Sequence, residues 1–227
     1  MILAYSLAPT LHFVHLYVLD KIIPQNNSFQ YFCSMKLHET YDFVNGIPPA
    51  KGSVLLSEPF LQDPHFERSV IVLCEHTKEE TFGFVLNHKA VVQLNDVIDI
   101  APKGIPLYIG GPVANNNLFY LHTLKDIESS EEVLPGLYLG GDLTSIFDLL
   151  ISDTSFKSNI RFFIGYSGWS SGQLEQEINE RAWICVNNIS GKTLLSKNPS
   201  NLWRKCMSQQ GKQFQTFALF PKNIADN

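Results

Sequence analysis

GSVLLSEPF (52–60), RSVIVLCEH (68–76) and TFGFVLNHK (81–89) follow one another across a stretch of fewer than forty residues. Each run is short, rich in Val, Ile, Leu and Phe, and bounded by turn-forming residues, so each reads as a strand rather than a helix. Asp63-Pro64 in the first link is a turn initiator. KEET (78–81) is short enough to close a hairpin. The patterned part of the chain therefore opens as a sheet.

Working toward the C-terminus, LYIGGPV (107–113) and LYLGGDL (137–143) look alike. Two copies are too few for a repeat array, and both read as strands that run into a turn. LFYLHT (118–123) between them reads as a strand, and KDIESSEE (125–132) as an acidic surface turn. Asp142 is placed to cap a helix over LTSIFDLLIS, where Leu143, Ile146, Phe147 and Leu150 share a face. RFFIGYS (161–167) reads as a buried strand that breaks at Gly168. A helix over 173–181 follows, with Ser170 and Gln173 at capping-box spacing. AWICVN (182–187) is a further strand. SNLWRKCMSQQ (200–210) is a helix stopped by Gly211, with Leu202, Trp203, Cys206 and Met207 on one face. Strands interleaved with a few helices predict one α+β domain built on a mixed sheet.

Working toward the N-terminus, the pattern dissolves. Residues 36–51 are polar and end in Ile47-Pro48-Pro49, which reads as a leading arm. Residues 1–19 carry no charge, yet Ser6, Pro9, Thr10, His12 and His15 interrupt them, which suits neither a membrane span nor a secretory signal. The expectation is that residues 1–34 are an extension, with Met35 as the working start and one domain over 35–227. A membrane role would need residues 1–23 to be real and inserted. His12 and His15 lack companion ligands for a metal.

Of the 227 residues, 44% are hydrophobic and 17% charged, a composition that can bury a core. The net charge is −5. It divides unevenly: residues 35–187 hold 10 basic and 20 acidic side chains, and residues 188–227 hold six and one. An acidic body argues against general nucleic-acid binding, leaving only the basic tail for such a role. The tail's interleaved Leu, Trp, Met and Phe argue instead that it docks on its own body. The four cysteines form no CxxC pair, so neither a zinc site nor a disulfide framework is expected. No metal and no cofactor is expected, and the protein is expected to be cytoplasmic.

Two constellations bear on catalysis. Gly168-Trp169-Ser170-Ser171-Gly172 fits a G-x-S-x-G nucleophile elbow between strand and helix. That fold's acid-then-His order is missing, because the last histidine, His122, lies upstream. Cys74 and His76 alternate along one strand face, as a thiol enzyme would require, but a cysteine in VLC is more often a small buried hydrophobe. No residue is assigned as catalytic on these grounds. Arg68 and Asn87, at strand ends, read as hydrogen-bond anchors, and His122 as a partly buried histidine. The Gly-Trp turn offers a binding surface, and Glu175 and Glu177 in its helix favour a neutral or cationic partner over a phosphate.

Taken together, GSVLLSEPFLQDPHFERSVIVLCEH, TFGFVLN, GGPV (110–113) and GYSGWSSGQLEQE (165–177) followed by Trp183 resemble the YqgE/AlgH family of bacterial proteins. The similarity runs from about Gly52 to Phe220, and the GY-x-GW-x-x-GQLE block is its most specific part. Asn87-His88-Lys89 departs from the family, which often has a proline after the asparagine and a basic residue. The resemblance implies a single α+β domain with a strongly bent, partly barrel-like mixed sheet and a few covering helices. It brings no established mechanism, although some members have been named as transcriptional regulators. Recurrent positions carried over are Arg68, Glu75, His76, Asn87, Gly110, Gly111, Pro112 and His122. Gly165, Tyr166, Gly168, Trp169, Gly172, Gln173, Glu175 and Trp183 complete them. The expected function is a non-enzymatic binding or regulatory protein that recognises an unidentified protein or small molecule. Its surface would use Tyr166, Trp169, Gln173 and Glu175, joined by Arg68 and His122. The alternatives are transcriptional regulation, on DNA or through a protein, and a hydrolase or thiol enzyme using Ser170 or Cys74.

Overall fold

The computed structural model describes residues 47–219, apart from Phe60 and Gln62. The readings of residues 1–34, of His12 and His15, and of the start at Met35 lie outside the described residues. The strands are β1 (Val54–Ser57), β2 (Val70–His76), β3 (Glu80–Val85), β4 (Lys89–Gln93), β5 (Pro106–Ile109), β6 (Val113–His122), β7 (Ser130–Leu134), β8 (Leu137–Gly140), β9 (Ile160–Ser170) and β10 (Trp183–Val186). The helices are α1 (Leu143–Ser152), α2 (Gln173–Asn179), α3 (Gly191–Leu194), α4 (Leu202–Ser208) and α5 (Lys212–Leu219).

The strands form a curled, half-barrel sheet in the order β10-β1-β2-β3-β9-β6-β8-β7, with β5 also on β9 and β4 on β5. The pairing is antiparallel except for β5 against β9. β9 is the spine. Its first half pairs with β5 on one edge and β6 on the other, and its last four residues pair with β3.

The near-continuous apolar runs of the sequence arise because both sheet faces are covered. In β2, Val70, Val72 and Cys74 face the largest core cluster with α4 and α5, while Ile71 and Leu73 face a second cluster beneath α2. In β9, Phe163 joins the first cluster, and Ile160 and Phe162 join a third beneath α1. Such opposed packing is the two-residue period of a strand covered on both sides.

The expected single α+β domain and bent sheet are what the structure has. Asp142 caps α1, accepting from the backbone N–H groups of Thr144 and Ser145. The basic tail docks on the body: Leu202, Trp203, Cys206, Met207, Phe214 and Phe217 lie in the largest core cluster, and Trp203 Nε1 donates to Ser57 O (2.9 Å).

Some boundaries differ. The acidic stretch 125–132 is not all turn, because β7 begins at Ser130. β9 does not break at Gly168. It runs to Ser170, because Glu80, Thr81 and Phe82 of β3 continue the ladder opposite Ser170, Trp169 and Gly168.

Candidate functional site

The motif block on β9 and α2 first solves a topological problem. β5 and β6 lie on opposite edges of β9 yet are joined by residues 110–112 alone, so this connection crosses the face of β9 in contact with its backbone. Gly110 N donates to Ile164 O (2.9 Å), and Gly110 O accepts from Val85 N (2.9 Å) and Ser167 Oγ (3.0 Å). A Cβ on Gly110 would lie 2.3 Å from Gly165 O, and one on Gly111 2.3 Å from Tyr166 C. Gly110, Gly111 and Gly165 are thus the close approach of two backbones, which a side chain would prevent. Pro112 follows, exposed.

The next residues hold α2. Trp169 and Trp183 meet edge to face at 6.1 Å, and both indoles donate to Glu177 Oε2, at 2.8 and 2.7 Å. Gln173 Nε2 donates to Glu177 Oε1 (2.9 Å), while Gln173 Oε1 accepts from Ser170 N (3.0 Å). Only this half of the expected capping box forms. The N-cap is Gly172, with φ +74°, and not Ser170. Trp169, at 6% exposure, is an internal strut rather than a free stacking surface. Glu177 organises the whole motif. Its acceptor role was hidden in the sequence because the two tryptophans it joins are fourteen residues apart.

Outside this strut lies an open face. His76 Nδ1 is 2.7 Å from Thr81 Oγ1, and His76 Nε2 is 3.6 Å from Glu175 Oε1. Glu79, Glu80, Ser170 and Glu175 are exposed, and Glu75 and Tyr166 are half-buried. Lys78 sits at the tip of the β2–β3 hairpin. Glu75, Glu80, Gly168 and Ser170 alternate with His76, Thr81 and Trp169 along their strands and so belong to the opposite side of the sheet from Glu175.

Arg68 and His122 do not converge on this face. Arg68, at φ +49°, lies over the Trp203 ring (4.8 Å) and helps seat the tail. Asn87 holds the start of β2: its Oδ1 accepts from Val70 N (2.9 Å) and its Nδ2 donates to Arg68 O (2.8 Å). The anchor reading of Asn87 is therefore met. His122 is fully buried, stacked on Tyr138, with Nε2 2.9 Å from Gly140 O and Nδ1 3.2 Å from Leu124 O.

Burial lowers the pKa of His122, and the two carbonyls offset this only in part. The folded chain therefore binds this proton less readily than the unfolded chain does. Stability from His122 is complete above the ordinary imidazole range and is lost as pH falls through it. Melting temperature measured from pH 8 to pH 5 is expected to fall on the acid side. His122→Gln should flatten that dependence, and an unchanged slope would show that other groups cause it.

Neither nucleophile is arranged for attack. Cys74 is buried, and burial raises the pKa of its thiol, the reverse of an activated cysteine. A bulge between Leu73 and Glu75 breaks the alternation that put Cys74 and His76 on one face. Ser170 lies opposite Glu80, and the imidazole of this region, His76, is engaged by Thr81 and Glu175. Among the described residues, no group of three His, Cys, Asp or Glu side chains could hold a metal ion. Among them too, no helix is long and apolar enough to cross a membrane.

One further feature went unread in the sequence. Arg161 stands at the head of the buried run RFFIGYS and is itself 5% exposed. It lines a cavity together with Tyr108 and three lysines. An arginine opening an apolar strand was the signal available.

Relatives of known sequence and structure match most of this chain. The profile of the AlgH-like family (DUF179) matches residues 54–215. A UPF0301 protein of Bacteroides thetaiotaomicron is 38% identical over 180 residues, 78% of this chain and 91% of that protein. One from Cytophaga hutchinsonii is 36% identical over 174 residues, 75% of this chain and 95% of its own. A crystal structure of a Corynebacterium diphtheriae protein superposes with a TM-score of 0.65 at 25% identity, covering 78% of this chain and 97% of the other. The solution structure of AlgH from Pseudomonas aeruginosa gives a TM-score of 0.58 at 24% identity, over 75% and 94%, and supports the fold. With the profile spanning most of the chain and bacterial relatives covered nearly end to end, this protein belongs to the AlgH-like family.

Proposed function

We propose that this chain is a non-enzymatic binding protein that offers the open acidic face beside its Gly-Trp turn to a basic segment of a protein partner. The observation that carries this reading is the approach of Glu175 Oε1 to His76 Nε2 (3.6 Å) on the α2 side of the sheet, with the exposed Glu79 in the adjoining β2–β3 hairpin, on a rigid support of paired indoles. The buried strut of Trp169, Trp183 and Glu177 supplies pre-organisation: the face loses little freedom on binding. Its carboxylates supply attraction and register, which is what rim charges do best. Thr81, bonded to His76, completes it, while Trp169 and Gln173 act from beneath; Tyr166, Gly168 and Ser170 face the other side of β9. Docking of the tail on the body counts against the alternative in which residues 188–227 reach for DNA.

NMR titration with a lysine- and arginine-rich peptide tests the reading. Shifts should concentrate at residues 75–81 and 168–175 and weaken with salt. Glu79→Lys with Glu175→Lys should reduce affinity by roughly tenfold, since close charge pairs couple at about 1.5 kcal/mol or above. Shifts elsewhere, or an affinity indifferent to charge reversal, would refute the acidic face.

A further inference from the structure

The protein carries a net charge of −5, yet one of its cavities is lined by four cationic side chains and no carboxylate. Lys89 enters from β4, Lys157 from the turn of 3-10 helix before β9, Arg161 from β9 and Lys197 from the docked tail. Tyr108 and the hydroxyl residues Thr154, Ser155 and Ser158 fill in the wall. The volume is about 280 Å³.

Arg161 makes this a built site rather than a scatter of surface lysines. Its Nη1 donates to Leu86 O (2.6 Å) and Leu194 O (3.1 Å), and its Nη2 to Ser196 O (2.8 Å). The guanidinium lies 4.6 Å over the Tyr108 ring. These contacts fix the orientation of the fork, but carbonyls and a ring are dipoles and a quadrupole, not a counter-charge. A charge this deeply buried ordinarily has an anion beside it. Here the side chains around it add positive charge instead. Lys157 Nζ is held by Lys103 O (3.0 Å), and the nearby Asp153 carboxylate is occupied by Ser155 N and Oγ, both at 2.7 Å.

We infer that this cavity binds the phosphoryl group of a small molecule. A fixed guanidinium charge, which keeps two of its five N–H groups beyond the three given to carbonyls, together with the flanking ammonium groups matches the charge of a phosphoryl dianion. The volume lies just below the usual range for drug-sized ligands, about 300–1,000 Å³, so it suits a phosphate or a sugar phosphate and not a nucleic-acid strand. The site goes beyond the acidic-face reading and shares no residue with that face.

The test is calorimetric titration of the full chain at constant ionic strength with inorganic phosphate, ribose 5-phosphate and a ten-residue oligothymidylate. One saturable site for phosphate or ribose 5-phosphate is expected. Tighter binding of the sugar phosphate would identify an esterified ligand, and equal affinities would identify the free anion. Lys89→Gln and Lys197→Gln, both at exposed positions, should each weaken binding by about tenfold, the scale of one charge-assisted contact. The melting temperature of the ligand-free variants should stay put. Arg161→Lys keeps the charge but gives up the carbonyl contacts that orient it, so it should weaken binding further and also lower the melting temperature. The inference fails if neither small anion saturates, if the double lysine variant binds as tightly as the parent, or if only the oligothymidylate binds.

Discussion

Gly165→Ala is expected to destabilise the fold by at least about 4 kcal/mol, enough to prevent folding in a domain of ordinary marginal stability. The added methyl group would sit 2.6 Å from Gly111 O and 2.8 Å from Val113 O. Both obstacles are backbone, held by the ladder on either side, so neither can swing away. The residue also has φ +69°, where an L side chain costs about 1–2 kcal/mol before any clash. Gly172→Ala is the matched control. Its φ is +74°, but nothing lies within 4 Å of the position a Cβ would take. It should lose only the conformational term, about 1–2 kcal/mol. Urea unfolding midpoints measure both. Equal losses would mean that the β5–β6 connection does not press on β9.

Glu177→Ala is expected to cost about 3–4 kcal/mol while leaving the acidic face chemically intact. It removes the acceptor of two indole N–H groups and one amide. Trp169 and Trp183 are 6% and 2% exposed, so their N–H groups are largely cut off from water. Each such orphaned donor costs about 1–3 kcal/mol. Half-burial of the carboxylate itself brings the sum toward the lower part of that range, because water can enter where it stood. Tryptophan fluorescence and urea unfolding together measure the effect. A loss under about 1 kcal/mol would show that Trp169 and Trp183 are held by packing alone, with Glu177 incidental. At temperatures where the variant stays folded, any drop in peptide binding would report loosening of the face and not loss of a contacting charge.

The sequence makes most of the fold legible. The runs over 52–60, 68–76 and 81–89 read directly as β1, β2 and β3 because burial on both faces leaves an unbroken apolar signature. Asp142 before LTSIFDLLIS is legible for a local reason, since a cap lies within three residues of the groups it satisfies. The tail's interleaved Leu, Trp, Met and Phe announce that it must be buried somewhere. Its destination against β1 and β2 is a long-range contact that no local pattern encodes.

The candidate site is less legible. Trp169 next to two flexible glycines looks like a ligand surface, and tertiary packing makes it a strut. Cys74 and His76 satisfy a strand's alternation until a bulge undoes it. Glu177 reads as one more helix carboxylate until β10 brings Trp183 beside Trp169.

Burial, alternation and capping are properties of neighbours along the chain, and these the sequence alone determined: a sheet-first α+β domain and a motif block typical of its family. Crossing backbones, the two-indole carboxylate and a cavity of four cations each join residues far apart in sequence. Lys89, Lys157, Arg161 and Lys197 become one electrostatic object only when β4, β9 and the tail are folded together. Charge acts through space and not along the chain, so only the tertiary structure decided where in this acidic protein an anion would be held.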